Sequence, residues 1–158
     1  MFRKMRRFKQ QLTDEDAMKI LRSEHLGVLS LLGDDDYPYG LPIDYICDDD
    51  GHLYFHCAKA GHKIDAMTRH DKVSFCVIDK GWQEEGDFAR FVNSVIVFGR
   101  LRKVEDHEKT LRQAYKLALN VYPDQTDFYK DEIRKNENTV QVLELIPEHI
   151  TGKRVHEQ

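Results

Sequence analysis

Long apolar runs and paired cysteines are both missing from this sequence of 158 residues. No stretch is long and apolar enough to span a bilayer, and no apolar segment follows the basic residues near the start, so neither a membrane protein nor a signal peptide is predicted. The three cysteines, Cys47, Cys57 and Cys76, form no Cys-x-x-Cys pair, which argues against a disulfide framework or a zinc ribbon. We expect reduced, partly buried thiols in a cytoplasmic protein.

Charge of one sign does not dominate the chain either. It carries 28 acidic and 24 basic residues, a net charge of −4, with both signs mixed along its length. No broad field therefore attracts nucleic acid or a membrane, and any anion site must be local. The exception is a basic N-terminal run, interpreted as a solvated terminus or an arm laid on its own fold rather than an arm for a partner: Arg3, Lys4, Arg6, Arg7 and Lys9.

The glycine motifs of nucleotide-binding proteins are absent as well. No Gly-x-Gly-x-x-Gly follows a predicted strand, so a Rossmann site is unsupported. Gly61, His62 and Lys63 lack the upstream glycine and the following Ser or Thr of a P-loop. The length and the lack of a linker composition predict one domain, residues 1–158.

Helix signals are confined to the start of the chain and to a late insertion. Thr13 with Asp16 three residues later resembles a capping box and predicts a helix to about Ser23. Asp106 is a candidate cap for a second helix. Its predicted core-facing stripe comprises Leu111, Ala114, Tyr115, Ala118 and Leu119. A shorter, more polar helix is predicted over residues 127–135.

Strand patterns occupy residues 27–32, 37–46, 53–56, 73–78, 92–104 and 139–146. The first and the last read as buried strands. The second contains Pro38 and Pro42, which cannot donate to a ladder, so it should be bent or lie at a sheet edge. Its free backbone could bind a planar polar ligand, or it could simply be an irregular edge. The pattern predicts a mainly β protein with flanking helices, a small antiparallel β-barrel of about six strands, with a bend at Gly99.

The stretch from residue 53 to residue 65 changes its chemistry halfway through. A strand runs into His56, and small residues such as Ala58 and Gly61 then allow a backbone to approach a ligand closely. Lys63 opens a short helical pattern. A lysine and free backbone N–H groups at a helix start are what a phosphate group needs. The pattern indicates an anion site, although a hairpin, a surface loop and a solvated helix would produce the same local sequence.

Histidines near this stretch raise the question of a metal site. On one extended strand His52 and His56 share a face but lie roughly 13 Å apart at about 3.3 Å per residue, too far for one ion. Adjacent His56 and Cys57 point to opposite faces. We therefore expect no metal. His56 ends its strand, where an imidazole could exchange a proton near neutral pH or could merely be hydrogen-bonded.

Six motifs together span nearly the whole chain: GVLSL at 27–31, PYGLPIDY at 38–45, LYFHCAKAGHK at 53–63, KVSFCV at 72–77, SVIVFGR at 94–100 and EHITGK at 148–153. With these motifs the sequence resembles the 5-nitroimidazole-resistance branch of the pyridoxamine 5′-phosphate oxidase-like flavoproteins. The resemblance implies an FMN-binding split β-barrel with the cofactor at the interface of a homodimer.

The resemblance also assigns residues to the cofactor. It implies that His62 and Lys63 hold the phosphate and that Phe55 and His56 line the flavin. A polar side chain, here Ser94, lies near the ring in related oxidases. The remaining contacts that it implies are Leu41, Pro42, Ile43, Asp44, Cys57, Ala58, Gly61 and Val95.

The carboxyl end departs from the vitamin B6 oxidases, because EHITGKRVHEQ lacks the tryptophan of their substrate-handling end. The resemblance therefore favours an FMN-dependent oxidoreductase that takes electrons from a reduced donor and reduces small acceptors such as nitroaromatics, with His56 as the catalytic acid. The alternative is a non-enzymatic flavin- or haem-binding carrier or sensor, since small barrels also bind ligands without turning them over.

Overall fold

The computed structural model describes residues 1–157, in which eight strands and four α-helices follow a short 3₁₀ turn. The helices are α1 (Asp14–Ser23), α2 (His62–Arg69), α3 (His107–Val121) and α4 (Thr126–Lys135). The strands are β1 (Leu26–Leu32), β2 (Pro38–Asp44), β3 (Ile46–Cys47), β4 (Leu53–Ala58), β5 (Lys72–Ile78), β6 (Trp82–Gln83), β7 (Arg90–Lys103) and β8 (Val140–Glu157).

All strand pairs are antiparallel and follow the order β2-β1-β5-β7-β8-β4-β3, with the short β6 paired to β7. The chain passes directly from β2 to β3 through Tyr45, so the two ends of this order are joined covalently and the sheet curls into a half-open barrel. The predicted antiparallel barrel class is confirmed. The expected count of about six strands is too low, because the predicted strand 37–46 divides at Tyr45 and the charged loop after β5 contains β6.

Strands β7 and β8 form the longest ladder of the sheet, running from Arg90 to Lys103 on β7. Its register shifts between Phe98 and Gly99, which confirms the predicted bend. The last strand was predicted to end at residue 146 but continues to residue 157. The prediction stopped at Pro147 because proline usually ends a strand. In the structure Pro147 is tolerated because it lies opposite Gly99 at the register shift, where the ladder is interrupted.

Strand β1 alternates between buried and exposed residues instead of being buried on both faces as predicted. Its inward side chains join a core that contains Leu29, Phe75, Val97 and Leu143. Edge-to-face contacts at this core include the ring pair Phe55–Phe75, with centroids 5.1 Å apart. The outward faces of β1, β5 and β7 stay exposed, so one surface of the sheet has no cover from its own helices.

Both predicted helix caps are present. The Thr13 hydroxyl accepts a hydrogen bond from the Asp16 amide at 3.1 Å, and the Asp106 carboxylate accepts one from the Lys109 amide at 2.6 Å. The predicted stripe of α3 is only partly right, because its buried residues are Thr110, Gln113, Ala114 and Leu117. Leu111 and Tyr115 instead line a cavity shared with α4, so apolar residues mark two faces of this helix.

The basic N-terminal segment lies on its own fold, as one of the two interpretations predicted. Phe2 stacks on His149 with ring centroids 4.6 Å apart, and the Leu12 amide donates to the Gly152 carbonyl. The three cysteines are free and half-buried, in agreement with the sequence. Among the described residues no helix combines the length and the apolar character needed to cross a membrane.

Candidate functional site

No ladder joins β2 to β4 or β3, so the described sheet does not close between them. Strand β2 pairs with β1 and lies at the end of the sheet order, so its other edge is free of a ladder. The chain leaves this strand at Tyr45, which is fully buried and donates its hydroxyl to the Leu21 carbonyl at 2.8 Å. Beyond that anchor, β3 pairs with β4. The free edge of β2 therefore offers backbone donors and acceptors at the mouth of the barrel, as the two prolines predicted.

Side chains of β2 divide between the two faces of this edge. Leu41 and Ile43 are half-buried and pack against the core, whereas Pro42 and Asp44 are exposed. Contacts from Leu41 and Ile43 to a ligand would therefore come mainly from the backbone. Asp44 is the one ionisable side chain among these four residues.

Strand β4 crosses from core to surface within three residues. Phe55 is fully buried, so within the single chain its side chain is part of the core. His56 and Ala58 are exposed, and Cys57 between them is half-buried. Burial raises the pKa of the Cys57 thiol, with nearby Lys63 acting in the opposite direction, so this cysteine is a neutral thiol at pH 7.

Helix α2 begins immediately after this strand. Gly61, at its N-cap, adopts φ 128°, and no side chain caps the helix. A Cβ at this position would meet no atom within 4 Å, so glycine is required here by its backbone conformation and not by lack of space. Lys63 is half-buried in the first turn. The structure thus brings the lysine to a helix start without a side-chain cap, the two features from which the sequence predicted an anion site.

His62 makes contacts that sequence reasoning did not foresee. Its ring stacks on the Tyr39 ring with centroids 4.0 Å apart and an interplanar angle of 16°. Its Nε2 atom lies 3.8 Å from the Asp34 carboxylate, which accepts a hydrogen bond from Arg69 at 2.7 Å. Asp34 and Tyr39 flank the site from a turn and a strand that the sequence treated only as structure, and no spacing rule connects them to His62.

Ser94 and Val95 are not brought to this opening within one chain. They lie on β7, which is separated from β2 by β1 and β5. Ser94 is half-buried and pairs with Ile78 and Lys153, whereas the Val95 side chain is fully buried in the core. Within one chain, therefore, neither residue presents its side chain at the free edge of β2.

A second polar cluster surrounds Glu144 at the opposite end of β4. This carboxylate is only 2% exposed and accepts hydrogen bonds from His52 at 2.7 Å, Tyr54 at 2.9 Å and Arg102 at 2.8 Å. Lys109 adds an ion pair at 3.4 Å. Burial alone would raise the pKa of Glu144, but the hydrogen bonds outweigh burial and lower it to about 2.

The same cluster has the composition of a metal site, since ligand atoms of Asp50, His52 and Glu144 lie within 4.8 Å of one another. However, the cations of Arg102 and Lys109 already occupy the Glu144 carboxylate. A divalent ion would have to displace them or add its charge to theirs. The cluster is therefore a satisfied ion-pair network. His52 belongs to it through its hydrogen bond to Glu144, whereas His56 is exposed near the end of β4.

A family model described as pyridoxamine 5′-phosphate oxidase matches residues 13–154 of this chain. The chain belongs to the pyridoxamine 5′-phosphate oxidase-like family. The match covers every strand except the last residues of β8, and with it the free edge of β2 and the start of α2. A comparison with curated proteins gives no significant match.

Solved structures with the same split-barrel fold are numerous. A candidate 5-nitroimidazole antibiotic resistance protein of Bacteroides thetaiotaomicron is 18% identical, with a TM-score of 0.76 over 93% of this chain and 87% of that one. A FAD-binding protein of Mesorhizobium loti is 25% identical, with a TM-score of 0.68 over 92% and 96%. The flavocytochrome Anf3 of Azotobacter vinelandii is 17% identical, with a TM-score of 0.79 over 95% and 71%.

Proposed function

We propose that this family member is a homodimeric, cytoplasmic FMN-dependent oxidoreductase that reduces small acceptors, with 5-nitroimidazole-type nitroaromatics as the acceptor class. The observation that carries the proposal is the pairing of two unsatisfied features at one opening. Strand β2 has a free backbone edge, and its Tyr39 stacks on His62 at the start of the uncapped helix α2. A planar polar ring with a phosphate tail requires both features at once.

The residues present fit a flavin mononucleotide. Lys63 and the first-turn amides of α2 supply positive charge and donors for a phosphate. The free edge of β2 supplies backbone donors and acceptors, including those of Leu41 and Ile43, for the polar rim of the ring. When bound there, the flavin supplies reversible transfer of one or two electrons, which none of the 20 ordinary side chains provides.

His56 is the residue that we assign to proton delivery. It is exposed on β4, five residues before Gly61 at the N-cap of α2. Its neighbour Phe55 is fully buried and anchors the strand in the core. Reduction of a nitro group consumes protons as well as electrons, and an imidazole is the side chain best suited to supply them near neutral pH. The role of the protein is to hold the ring, orient this imidazole and exclude water from the reacting face.

FMN is favoured over FAD because the opening contains one visible anion site and the sequence contains no dinucleotide fingerprint. One structural neighbour, from Mesorhizobium loti, is described as FAD-binding, and another, from Azotobacter vinelandii, as a flavocytochrome. The flavin of this chain therefore has to be identified by measurement. Their low identity supports the fold and leaves the cofactor of this chain to its own residues.

A second copy of the chain is proposed to cover the outward face of β1, β5 and β7. Val28, Cys76 and Ile96 are adjacent across these strands, and Phe98 lies in the next row. Val28, Ile96 and Phe98 are each about two-fifths exposed. A two-fold interface would bury this apolar face. It would also allow Ser94 to reach the flavin of the other subunit, which it cannot do within its own chain.

Two measurements test the proposal. Flavin released by heat from the purified or FMN-reconstituted protein is separated by chromatography, and FMN is the expected product. The FMN-loaded protein is then mixed with a reduced nicotinamide and a nitroimidazole. Absorbance measures the consumption of each compound. FAD alone, or no flavin after reconstitution, would contradict the cofactor assignment. Stable FMN binding with no turnover would instead favour a carrier or sensor.

The oligomeric state is measured separately by light scattering on the loaded protein. A dimer is expected, and Phe98→Glu should shift it towards monomer because a charge would be buried in the interface. A wild-type monomer that holds FMN would remove the argument from the outward face.

A further inference from the structure

Tyr39 links the two halves of the proposed cofactor site. It projects from β2, whose free edge is assigned to the ring, and its own ring stacks on His62, which begins the helix assigned to the phosphate. The two rings are nearly parallel, with centroids 4.0 Å apart. The stack thus fixes the distance between the ring-binding and the phosphate-binding elements, which share no ladder.

The turn after β1 is shaped around this stack. Gly33 is buried there, and a Cβ would lie 2.9 Å from the Tyr39 Cβ and 3.4 Å from His62 Nε2. Asp35 and Asp36 that follow it adopt φ values of 53° and 61°, in a region that side chains rarely occupy. This backbone places the Asp34 carboxylate against the edge of the imidazole, so three independent features converge on the orientation of His62.

Asp34 would be an unfavourable neighbour for an anion site if its charge were uncompensated. Arg69, near the end of α2, donates to it at 2.7 Å and neutralises it. The carboxylate lies 3.8 Å from His62 Nε2, beyond hydrogen-bond distance, and the cation of Arg69 offsets its charge beside the proposed phosphate position. With Nε2 facing Asp34, Nδ1 is the ring nitrogen left to meet a ligand.

We propose that Tyr39, assisted by the Asp34–Arg69 pair, is a positioning residue that holds His62 at the phosphate and thereby sets the preference of the site for FMN over riboflavin. This inference rests on the FMN site proposed above. Tyr39 need not touch the flavin for this role. Its effect should appear in the phosphate-dependent part of the affinity and not in the part that the ring contributes.

The test compares the affinities of the apoprotein for FMN and riboflavin by quenching of flavin fluorescence. Tyr39→Leu is expected to lower the FMN-to-riboflavin affinity ratio about fivefold to tenfold, the scale of one aromatic contact. Tyr39→Phe retains the stack and should retain the ratio. Tyr37→Leu is the matched control, because Tyr37 is 75% exposed two residues away and should leave the ratio unchanged.

Arg69→Gln provides a second test that leaves the stack intact. It frees the Asp34 charge beside the phosphate and should also lower the ratio. An equal loss of both flavins in Tyr39→Leu, or an unchanged ratio in both Tyr39→Leu and Arg69→Gln, would overturn the inference. If Tyr39→Leu does not fold, the ratio in Arg69→Gln decides alone. Failure of the wild-type protein to bind FMN would instead overturn the proposed function on which the inference rests.

Discussion

Strand β4 connects two polar regions that are built in opposite ways. At its start, Tyr54 and the buried Glu144 lie in a network that satisfies the carboxylate with four partners from β4, β7, α3 and the hairpin turn. At its end, exposed His56 leads into a helix start that no side chain caps. We call the Glu144 network the closed region, because its hydrogen-bonding groups are paired with one another. We call the stretch from His56 to Lys63 the open region, because the first amides of its helix have no side-chain partner.

The difference separates stability from binding. A buried charge with all its partners holds elements in place but has no capacity for a ligand. Unpaired donors at a helix start are tolerated because water satisfies them, and a phosphate can replace that water. Changes at the Glu144 network should therefore alter unfolding with little effect on the intrinsic affinity for FMN. Changes at the opening should do the reverse.

The largest effect is expected from Glu144→Gln. It removes the charge that Arg102, His52 and Lys109 share and should reduce the free energy of unfolding by about 3 kcal/mol, since hydrogen bonds to a charged group contribute roughly 1.5–3 kcal/mol each and the exposed Arg102 recovers some hydration. Urea unfolding followed by circular dichroism measures the loss.

Glu148→Gln is the matched control for this change. Glu148 is on the same strand and pairs with Arg100 at 3.0 Å, but both side chains are exposed. Its replacement should cost no more than about 1 kcal/mol. Equal losses in the two variants would mean that burial of the Glu144 network contributes nothing special to stability.

The next largest effect is expected from low pH, which should remove the stabilisation that the ionised Glu144 provides. Because the folded pKa of Glu144 is lowered to about 2 from 4.5, its ionised form stabilises the fold above about pH 4.5 and this contribution is lost as pH falls towards 2. The difference in unfolding free energy between wild type and Glu144→Gln should be constant from pH 7 to about 5 and then shrink. Urea midpoints at each pH test this, and a difference that stays constant down to pH 2.5 would contradict it.

Sequence reasoning reached the barrel class because local signals and the fold agree there. Thr13 and Asp106 cap helices where predicted, and Pro38 and Pro42 mark an edge strand. The helix start and its lysine could be located from the sequence because Gly61 and Lys63 are only two residues apart. Strand lengths were harder to predict. A proline usually ends a strand, but Pro147 is tolerated within β8 because it lies opposite Gly99, where the register of the β7–β8 ladder shifts.

The Glu144 network and the Tyr39–His62 stack could not be predicted for a related reason. Glu144 is 92 residues from His52, and Asp34 is 35 residues from Arg69. No periodicity within an element encodes such a contact, because it depends on how the sheet curls. The burial of Phe55 depends on the same curl of the sheet, because its local sequence does not indicate that its side chain packs in the core.

In the open region, His56→Ala should change the rate of acceptor reduction and not the stability of the fold. The variant should keep the fold and most of its FMN, because His56 is exposed and its replacement opens no cavity in the core. Reduction of a nitroimidazole by the loaded, prereduced protein should slow on the order of 10²-fold, the contribution of a positioned general acid. Stopped-flow absorbance at the flavin band gives the rate. If the variant reacts at the wild-type rate, His56 is only a surface histidine and water or another group supplies the proton.

The smallest effect is expected from Lys63→Ala, which tests the open region through binding alone. Lys63 is half-buried in the first turn of α2, so its ammonium acts together with the free amides of that turn. Its loss should weaken FMN by about 1.5–3 kcal/mol, the range for a hydrogen bond to a charged group, and leave the urea midpoint of the apoprotein unchanged.

Lys59→Ala is the control for Lys63→Ala, because it removes the same charge from an exposed position four residues earlier, before the helix begins. It should weaken FMN much less, since a solvated charge outside the first turn is screened and adds no directed donor. Titration of each apoprotein with FMN at low and high salt separates the two contributions. Equal losses from the two lysines, disappearing together at high salt, would mean that the site attracts the phosphate only by general positive charge and that the helix start has no directed role.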